Sequence, residues 1–315
     1  MLLLAFALAV VILFVVLRLL GNPVFSLISV GATEQEIQAA AARLGVDQPL
    51  YVQFVDYLRQ LVTFDLGTSF TNGLSVSDEI VRRLNVTLPL TLLSFTLSVI
   101  IALPVGFVAA WRSRTWYGTA FSAFSQLGGA VPVFWVGILL VTGLALSARL
   151  FPAGGFPRDD WADPAAALTA LALPVITIAI VSGSDIARYV RSATLDVLGQ
   201  QYLRAARATG QSFATALWRH GVRNGIVPVI SILAIQLSTT FVGAVIVERV
   251  FALPGLGDML LVGIQEQDFP SVQGVLLFST SLVLLLGFAA DVAQRVLDPR
   301  LRASVSGNRR ARASA

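Results

Sequence analysis

The chain has 315 residues, of which 56% are apolar and 13% are charged, and its mean hydropathy is +0.79. Soluble domains carry about a quarter charged residues, so this composition predicts an integral membrane protein. All 22 basic residues are arginine, cysteine is absent and there is one histidine. The absence of lysine excludes lysine-dependent phosphate loops and Schiff-base chemistry, and the absence of cysteine excludes thiol chemistry and cysteine-zinc sites. We therefore expect no enzymatic activity, cofactor or metal in this chain.

Six apolar runs approach the ~20 residues that a helix needs to cross a bilayer. They predict an all-α protein with six transmembrane helices, and the first run is interpreted as a retained span because it lacks the basic flank of a signal peptide. The runs are 2–17, 88–110, 119–146, 165–184, 225–247 and 272–290.

The arginines are distributed unevenly between the two sets of loops. With six spans both termini lie on one side, and that side carries fourteen of the 22 arginines but only four of the 18 acids. Cytoplasmic loops keep an excess of positive charge, so both termini are expected on the cytoplasmic side of the membrane. The basic pI is thereby explained by topology, and we expect no nucleic-acid partner.

Two polar inserts are expected on the outer side. Segment 21–87, with helical patches at 34–44 and 51–61, is predicted to form a small cap outside the membrane. The insert 248–270 is too apolar for an ordinary loop, and we expect a short re-entrant or interfacial helix over 259–264 with Asp258 as its cap.

A few uncharged polar residues interrupt the spans. Gln126 lies in the third run, and Gln236, Thr239 and Thr240 lie in the fifth at spacings that place them on one helix face. They could line a translocation pathway, or they could simply form hydrogen bonds between helices. Gly128 and Gly129 before Pro132 make the third run the most deformable.

The stretch YLRAARATGQSFATALWRHGVRNGIVP, residues 202–228, holds four arginines and the histidine between two apolar runs. It predicts a helix over 200–208, a stop at Thr209 and Gly210, and a second helix capped by Ser212 that ends near Gly221. Small residues on the first helix would let a partner's groove approach closely. The arginines could instead serve topology alone, but that leaves the alanine-glycine pattern unexplained.

The segment AARATG, residues 205–210, resembles the EAA-type loop of ATP-binding-cassette importer permeases, in the version of the dipeptide and oligopeptide permease family. Neighbouring stretches resemble that family too: LGVDQPLYVQF, DLGTSF, LDVLGQQYLRAARATG, WRHGVRNGIVPV, VERVFALPGLG, DFPSVQGV and LDPRLR. The resemblance as a whole runs from about residue 21 to residue 302, nearly the whole chain. The general EAA pattern has acidic residues where this chain has Arg204 and Thr209, which would alter individual contacts.

The resemblance implies a type I importer permease fold. It also implies a heterodimer with a second homologous permease, one or two ATPase subunits that hold ATP and magnesium, and an extracytoplasmic peptide-binding lipoprotein. The loop would insert into a cleft of the ATPase and transmit the closure of that cleft to the transmembrane helices. The residues implied for this coupling are Tyr202, Arg204, Ala205, Ala206, Arg207, Gly210, Arg219 and His220.

The predicted organisation is a first span 1–20, the outer segment 21–87, a five-helix core 88–298 with its coupling loop 188–224, and a cytoplasmic tail 299–315. Family members usually have a short arginine-bearing lead before the first span, so an upstream start site or a weakly anchored amino end is expected here. An importer of nickel chelates or glutathione remains an alternative within the family. A self-standing channel or ion-coupled carrier is a distant alternative, and it would predict intramembrane charges or inverted repeats.

Overall fold

The computed structural model describes residues 2–20, 33–44, 47–63 and 65–297, and the predicted tail 299–315 lies outside these residues. Within them the regular structure is helical, apart from one antiparallel bridge between Thr68 and Ser75. The helices are α1 (Leu2–Leu20), α2 (Glu34–Leu44), α3 (Leu50–Thr63), α4 (Val76–Trp111), α5 (Trp116–Ala130), α6 (Val133–Leu140), α7 (Pro164–Leu198), α8 (Gln201–Ala208), α9 (Phe213–Ala216), α10 (Arg223–Val250), α11 (Leu256–Gln265) and α12 (Phe269–Leu297).

Five of the six apolar runs are continuous helix, and the third is helical on both sides of a break. Among the described residues, four helices are long and apolar enough to cross a membrane: α4, α7, most of α10 and most of α12. The pair α5 and α6 is a fifth candidate if it counts as one span, while the described apolar part of α1, Leu4–Val16, is shorter than a span. The all-helical membrane architecture is confirmed, and the count of six spans stays a prediction.

The third run is broken rather than straight. Helix α5 ends at Ala130, Val131 is extended with φ −92° and ψ 128°, and α6 starts after Pro132, which gives a bend of 104°. Proline lacks the N–H that would continue the helical hydrogen bonding and restricts the residue before it to extended backbone. The segment then continues from α6 through π-helical turns to Ser147.

Two helices extend well beyond their apolar runs. Helix α4 begins at Val76, twelve residues before the predicted start of its run, because the Ser75 side chain accepts the Asp78 amide and acidic residues follow in the first turn. Helix α7 starts after Asp163, whose carboxylate accepts two backbone amides, and runs for 35 residues to Leu198.

Helix α7 is the centre of the bundle. It packs along α4 and also contacts α5, α6 and α10, while α10 contacts α12, and α12 contacts α1. Small residues line the α4 seam, among them Ser94, Ser98 and Ala102, all nearly inaccessible. Small side chains let helix backbones approach closely within a membrane, so α4 and α7 are closely packed.

The helices of the two segments predicted to lie outside the membrane fall close to their predicted positions. Helix α2 has the predicted bounds, and α3 is one residue longer at its start and two at its end. Helix α11 is longer than the predicted 259–264, and its cap is Gly255. The prediction of Asp258 as the cap is wrong, because Asp258 lies in the first turn and pairs instead with Arg83 and Arg249, each at 3.3 Å.

Candidate coupling loop and outer contacts

The polar loop between α7 and α10 begins with α8, which ends at a left-handed glycine. Gly210 has φ +88°, its amide donates to the Arg207 carbonyl at 3.1 Å, and the Gln211 amide donates to the Ala206 carbonyl at 3.2 Å. These two bonds form a Schellman motif, which satisfies carbonyls at the end of a helix and favours glycine at the left-handed position. The predicted glycine turn is thus present.

The second half of the loop begins as predicted and ends differently. The Ser212 hydroxyl accepts the Thr215 amide at 3.2 Å and caps α9. The chain then passes through π-helical turns over Leu217–Val222 directly into α10. The predicted helix end near Gly221 is wrong, since Gly221 is buried on the packed side of the loop and the helical path continues through it.

A small apolar cluster holds the loop on the bundle. Leu203, Ala216 and Leu217 are buried together with Val197 of α7, and Phe107 of α4 packs against them. Two of the predicted coupling residues, Tyr202 and Ala206, are half-buried against this same cluster. Their positions indicate that they attach α8 to the rest of the chain.

Other predicted coupling residues form an exposed surface on the loop: Arg204, Ala205, Arg207, Gly210 and Arg219. The Arg207 guanidinium lies 5.8 Å from the centre of the Phe213 ring, within the range of a cation–π contact. The His220 side chain lies outside the described residues.

Trp218 was not among the predicted residues, although 78% of its surface is exposed. A tryptophan in a polar loop is the sequence signal that could have found it, because exposed tryptophan is enriched at protein and membrane interfaces. We refer to the exposed residues Arg204, Ala205, Arg207, Gly210, Trp218 and Arg219 as the docking surface.

A cleft of about 400 Å³ lies beside α8, lined by Tyr189 and Asp196 of α7, Gln200 and Tyr202 at the loop, and Pro228 of α10. The loop therefore does not fill the angle between α7 and α10.

The predicted pathway residues are not brought together on one surface. Gln236 and Thr240 are 9% and 1% exposed, and the Thr240 hydroxyl donates to the Gln236 carbonyl at 2.7 Å and to Ser182 of α7 at 3.4 Å. Thr239 is exposed on the same helix. Gln126 is exposed on α5, where its amide donates to the Ser122 carbonyl at 3.3 Å. Of the three predicted pathway residues on α10, Gln236 and Thr240 are thus buried in helix packing, and Thr239 lies on an open face.

On the opposite face of the bundle, Asp268 joins two segments that are far apart in sequence. Its side chain is 3% exposed and accepts hydrogen bonds from the Ser69 hydroxyl (2.5 Å), the Phe70 amide (3.0 Å), the Thr71 hydroxyl (2.9 Å) and the Ser271 hydroxyl (2.7 Å). Burial by itself would raise the pKa of Asp268, but these four hydrogen bonds stabilise the carboxylate and hold its pKa below the ordinary 3.8. DLGTSF is thereby fastened to DFPSVQGV.

A second buried carboxylate fastens α11. Glu248 at the end of α10 is inaccessible, and it accepts the Thr87 hydroxyl of α4 and the Gly257 amide, both at 2.6 Å. The Thr87 hydroxyl in turn accepts the Leu256 amide at 2.9 Å. A carboxylate at the first turn of a helix satisfies free amides and complements the helix dipole. Sequence reasoning assigned no role to Glu248, although an acid at the end of an apolar run was visible.

Among the described residues, no group of three or more histidine, cysteine, aspartate or glutamate side chains could hold a metal ion. The geometry shows two features that could serve a transport cycle: the docking surface and a set of outer contacts that tie α4, α10, α11 and α12 together.

Comparison with known proteins agrees with this arrangement. The family model for the inner membrane component of binding-protein-dependent transport systems matches residues 102–303. The chain belongs to this family. It is thus a multi-pass permease of an ATP-binding-cassette importer, and the resemblance found in its motifs is confirmed.

Individual relatives of this permease cover nearly its whole length. A peptide transport system permease protein of Brucella abortus (strain 2308) is 36% identical over 291 residues, which is 92% of both chains. A glutathione transport system permease protein of Escherichia coli O6:H1 is 33% identical over 299 residues, which is 94% of both chains.

A chain of the MetNI methionine ABC transporter, solved in inward-facing conformations, matches the permease with a TM-score of 0.55 and 21% identity. The match covers 70% of this chain and 96% of that chain. It shows that the two share a fold.

Proposed function

We propose that this permease takes up dipeptides or oligopeptides as one of two homologous subunits that form the membrane pathway. One or two ATPase subunits bind ATP and magnesium and dock on its cytoplasmic loop. An extracytoplasmic binding lipoprotein delivers the peptide from the outer side. The chain itself contributes no catalytic residue.

The docking surface is the observation that carries this proposal. Helix α8 is held to the bundle by Leu203 on one side, while Arg204, Ala205 and Arg207 are exposed on the other. A subunit without its own energy source can be switched only by a partner that contacts it differently in two states. Small and cationic residues on a held but exposed helix suit insertion into a partner's groove.

We also propose that the chain has six spans in the plasma (inner) membrane, with both termini in the cytoplasm. The docking surface and the fourteen arginines then share one side. Asp268 and Glu248 lie on the other side, where a binding protein would deliver its cargo.

Glutathione is a second candidate cargo. The Escherichia coli relative named for glutathione transport matches this chain over 299 residues at 33% identity, against 291 residues at 36% for the peptide relative. Glutathione is itself a modified tripeptide, so both cargoes suit the same class of pathway.

The test is ATP-dependent peptide uptake by cells that express the full complex, compared between the native chain and Ala205→Glu. Ala205 is exposed and alanine-to-glutamate changes suit a helix, so the fold should tolerate the change. Docking of the ATPase would bury the new negative charge at residue 205. The variant should therefore lose ATPase co-purification and show at least tenfold lower uptake, with normal amounts of permease in the membrane.

The matched control is Ala166→Glu, the same substitution at an exposed position in the first turn of α7. It should leave uptake and ATPase binding unchanged. Full ATPase binding and full uptake by Ala205→Glu would contradict the proposal. If the native chain binds the ATPase normally but takes up glutathione and not peptides, the second cargo is favoured instead.

A further inference from the structure

Helix α3 carries an apolar surface wider than its packing requires. One half of this surface, Phe54, Tyr57 and Leu61, packs with Val10 and Phe14 of α1. The ring centres of Phe14 and Phe54 are 5.2 Å apart, and those of Phe14 and Tyr57 are 5.6 Å apart. This half fixes α3 alongside α1.

The described residues leave the other half uncovered. Tyr51, Val55, Leu58 and Val62 are 72%, 59%, 38% and 81% exposed. Their spacings of four, three and four residues place them in one stripe along the helix. We call these four residues the α3 stripe.

The remaining surface of α3 is mostly polar. Asp56, Arg59, Gln60 and Thr63 are exposed there, and the apolar Val52 among them is half-buried. The helix therefore has an apolar side and a polar side of similar width, which is the pattern of helices that lie in the plane of a membrane interface.

The depth of α3 is set by the residues that it contacts. Leu277, in the same cluster as Tyr57, is the ninth residue of α12 and thus about 12 Å along that helix, at 1.5 Å per residue. Val10 is near the middle of α1. Helix α3 thus packs against the sides of apolar helices, where the neighbouring surface of α1 also exposes Leu8 and Ile12.

From this placement we propose that α3 is an interfacial membrane helix whose stripe contacts the acyl chains of the adjoining lipid leaflet. Its polar side faces the aqueous phase and the headgroups. The outer segment is then partly embedded in the bilayer, and is not wholly a cap above it. The apolar surface that lipid covers on α1 continues onto α3, so no additional protein partner is needed to shield the stripe.

Spin labelling tests this directly, because the chain contains no cysteine. Val55→Cys and Val62→Cys report on the stripe, and Asp56→Cys and Gln60→Cys on the polar side of the same helix. Each is labelled with a nitroxide in the permease purified with its accompanying subunits and reconstituted in lipid nanodiscs. Collision rates with oxygen, which concentrates in acyl chains, and with a water-soluble nickel chelate are then measured.

Spin labels at residues 55 and 62 should collide more often with oxygen than with the nickel chelate. Labels at residues 56 and 60 should collide more often with the nickel chelate than with oxygen. Preferential collision with nickel at 55 and 62 would overturn the proposal, since the stripe would face water. Exclusion of both reagents there would also overturn it, because a protein partner would then cover the stripe. Tyr51→Cys gives the same readout if either valine variant fails to assemble.

Discussion

At the scale of single residues, Asp268 is a stabilising acid whose effect depends on pH. Its pKa is depressed in the folded protein, so the folded state binds the proton more weakly than the unfolded state. The stabilisation is therefore present above the ordinary pKa of 3.8 and is lost as the pH falls through the lower folded value.

We predict that Asp268→Asn lowers the free energy of unfolding by about 1–3 kcal/mol at pH 7, because hydrogen bonds to a charged acceptor are lost. In thermal unfolding of the purified permease, the variant should unfold at a lower temperature than the native chain. This temperature difference should be constant between pH 5 and 7 and should narrow below about pH 4. Glu266→Gln, at an exposed neighbour, is the control. A difference that stays the same down to pH 3 would exclude the carboxylate as its source.

Trp218 should behave as an anchor for the ATPase. Exposed tryptophans at the centre of an interface commonly contribute 2 kcal/mol or more, so Trp218→Ala should weaken ATPase binding about thirtyfold. Its exposure of 78% predicts unfolding stability within about 0.5 kcal/mol of native. Binding is measured by titrating purified ATPase onto the permease in nanodiscs.

The control for Trp218 is Trp116→Ala, which removes an 82% exposed tryptophan at the start of α5. It should bind the ATPase with native affinity. Equal affinities for all three chains would remove Trp218 from the docking surface.

At the scale of elements, the junction of α10 and α11 is sterically closed around Glu248. A Cβ atom added to Gly255 would overlap the Glu248 carboxylate, which is itself held by Thr87 and Gly257. The turn between the two helices therefore admits no side chain at this position.

Gly255→Ala is predicted to destabilise the protein by about 1–3 kcal/mol, the usual cost of an overpacked site. Gly143→Ala is the control, since an added Cβ there meets no atom within 4 Å. Thermal unfolding in detergent compares the two variants. If Gly255→Ala unfolds at the native temperature, Glu248 must be free to move and cannot fasten α11.

At the scale of the whole molecule, α10 should present one open face and one packed face. We predict that Thr239→Cys reacts with a membrane-impermeant maleimide in the assembled transporter, because Thr239 is exposed and would line the proposed translocation pathway, which would contain water. Thr240→Cys should react at least tenfold more slowly, because Thr240 is 1% exposed and packs on α7. No reaction at Thr239 would place that face against lipid or another subunit.

Local chemistry made part of this molecule predictable from sequence. The glycine turn at Gly210 and the cap at Ser212 depend only on residues within one or two helical turns, and both were predicted correctly. The start of α4 at Val76 was missed although its Ser75 cap was also local, because hydropathy marks where apolar residues begin and not where a helix begins.

The buried acids could not be placed in the same way. Glu248 bonds to Thr87 across 161 residues, and Asp268 bonds to Ser69 across 199, so their roles exist only once the helices have packed. Asp258 shows the resulting error: a local reading makes it a cap, whereas its partners include Arg83, 175 residues away. The division of Thr239 from Thr240 likewise follows from the position of α7.

The length of α7 sets how far the docking surface stands from the lipid. Its 35 residues extend about 52 Å at 1.5 Å per residue, while the hydrocarbon core of a bilayer is about 30 Å thick. The predicted apolar run 165–184 starts one residue after the helix does, so nearly all of the excess lies at the α8 end, over residues 185–198. An ATPase docked on α8, as proposed, would therefore act at the end of a helix that continues through the whole span, and Pro174 inside that span is the position where a backbone hydrogen bond is missing and the helix can bend.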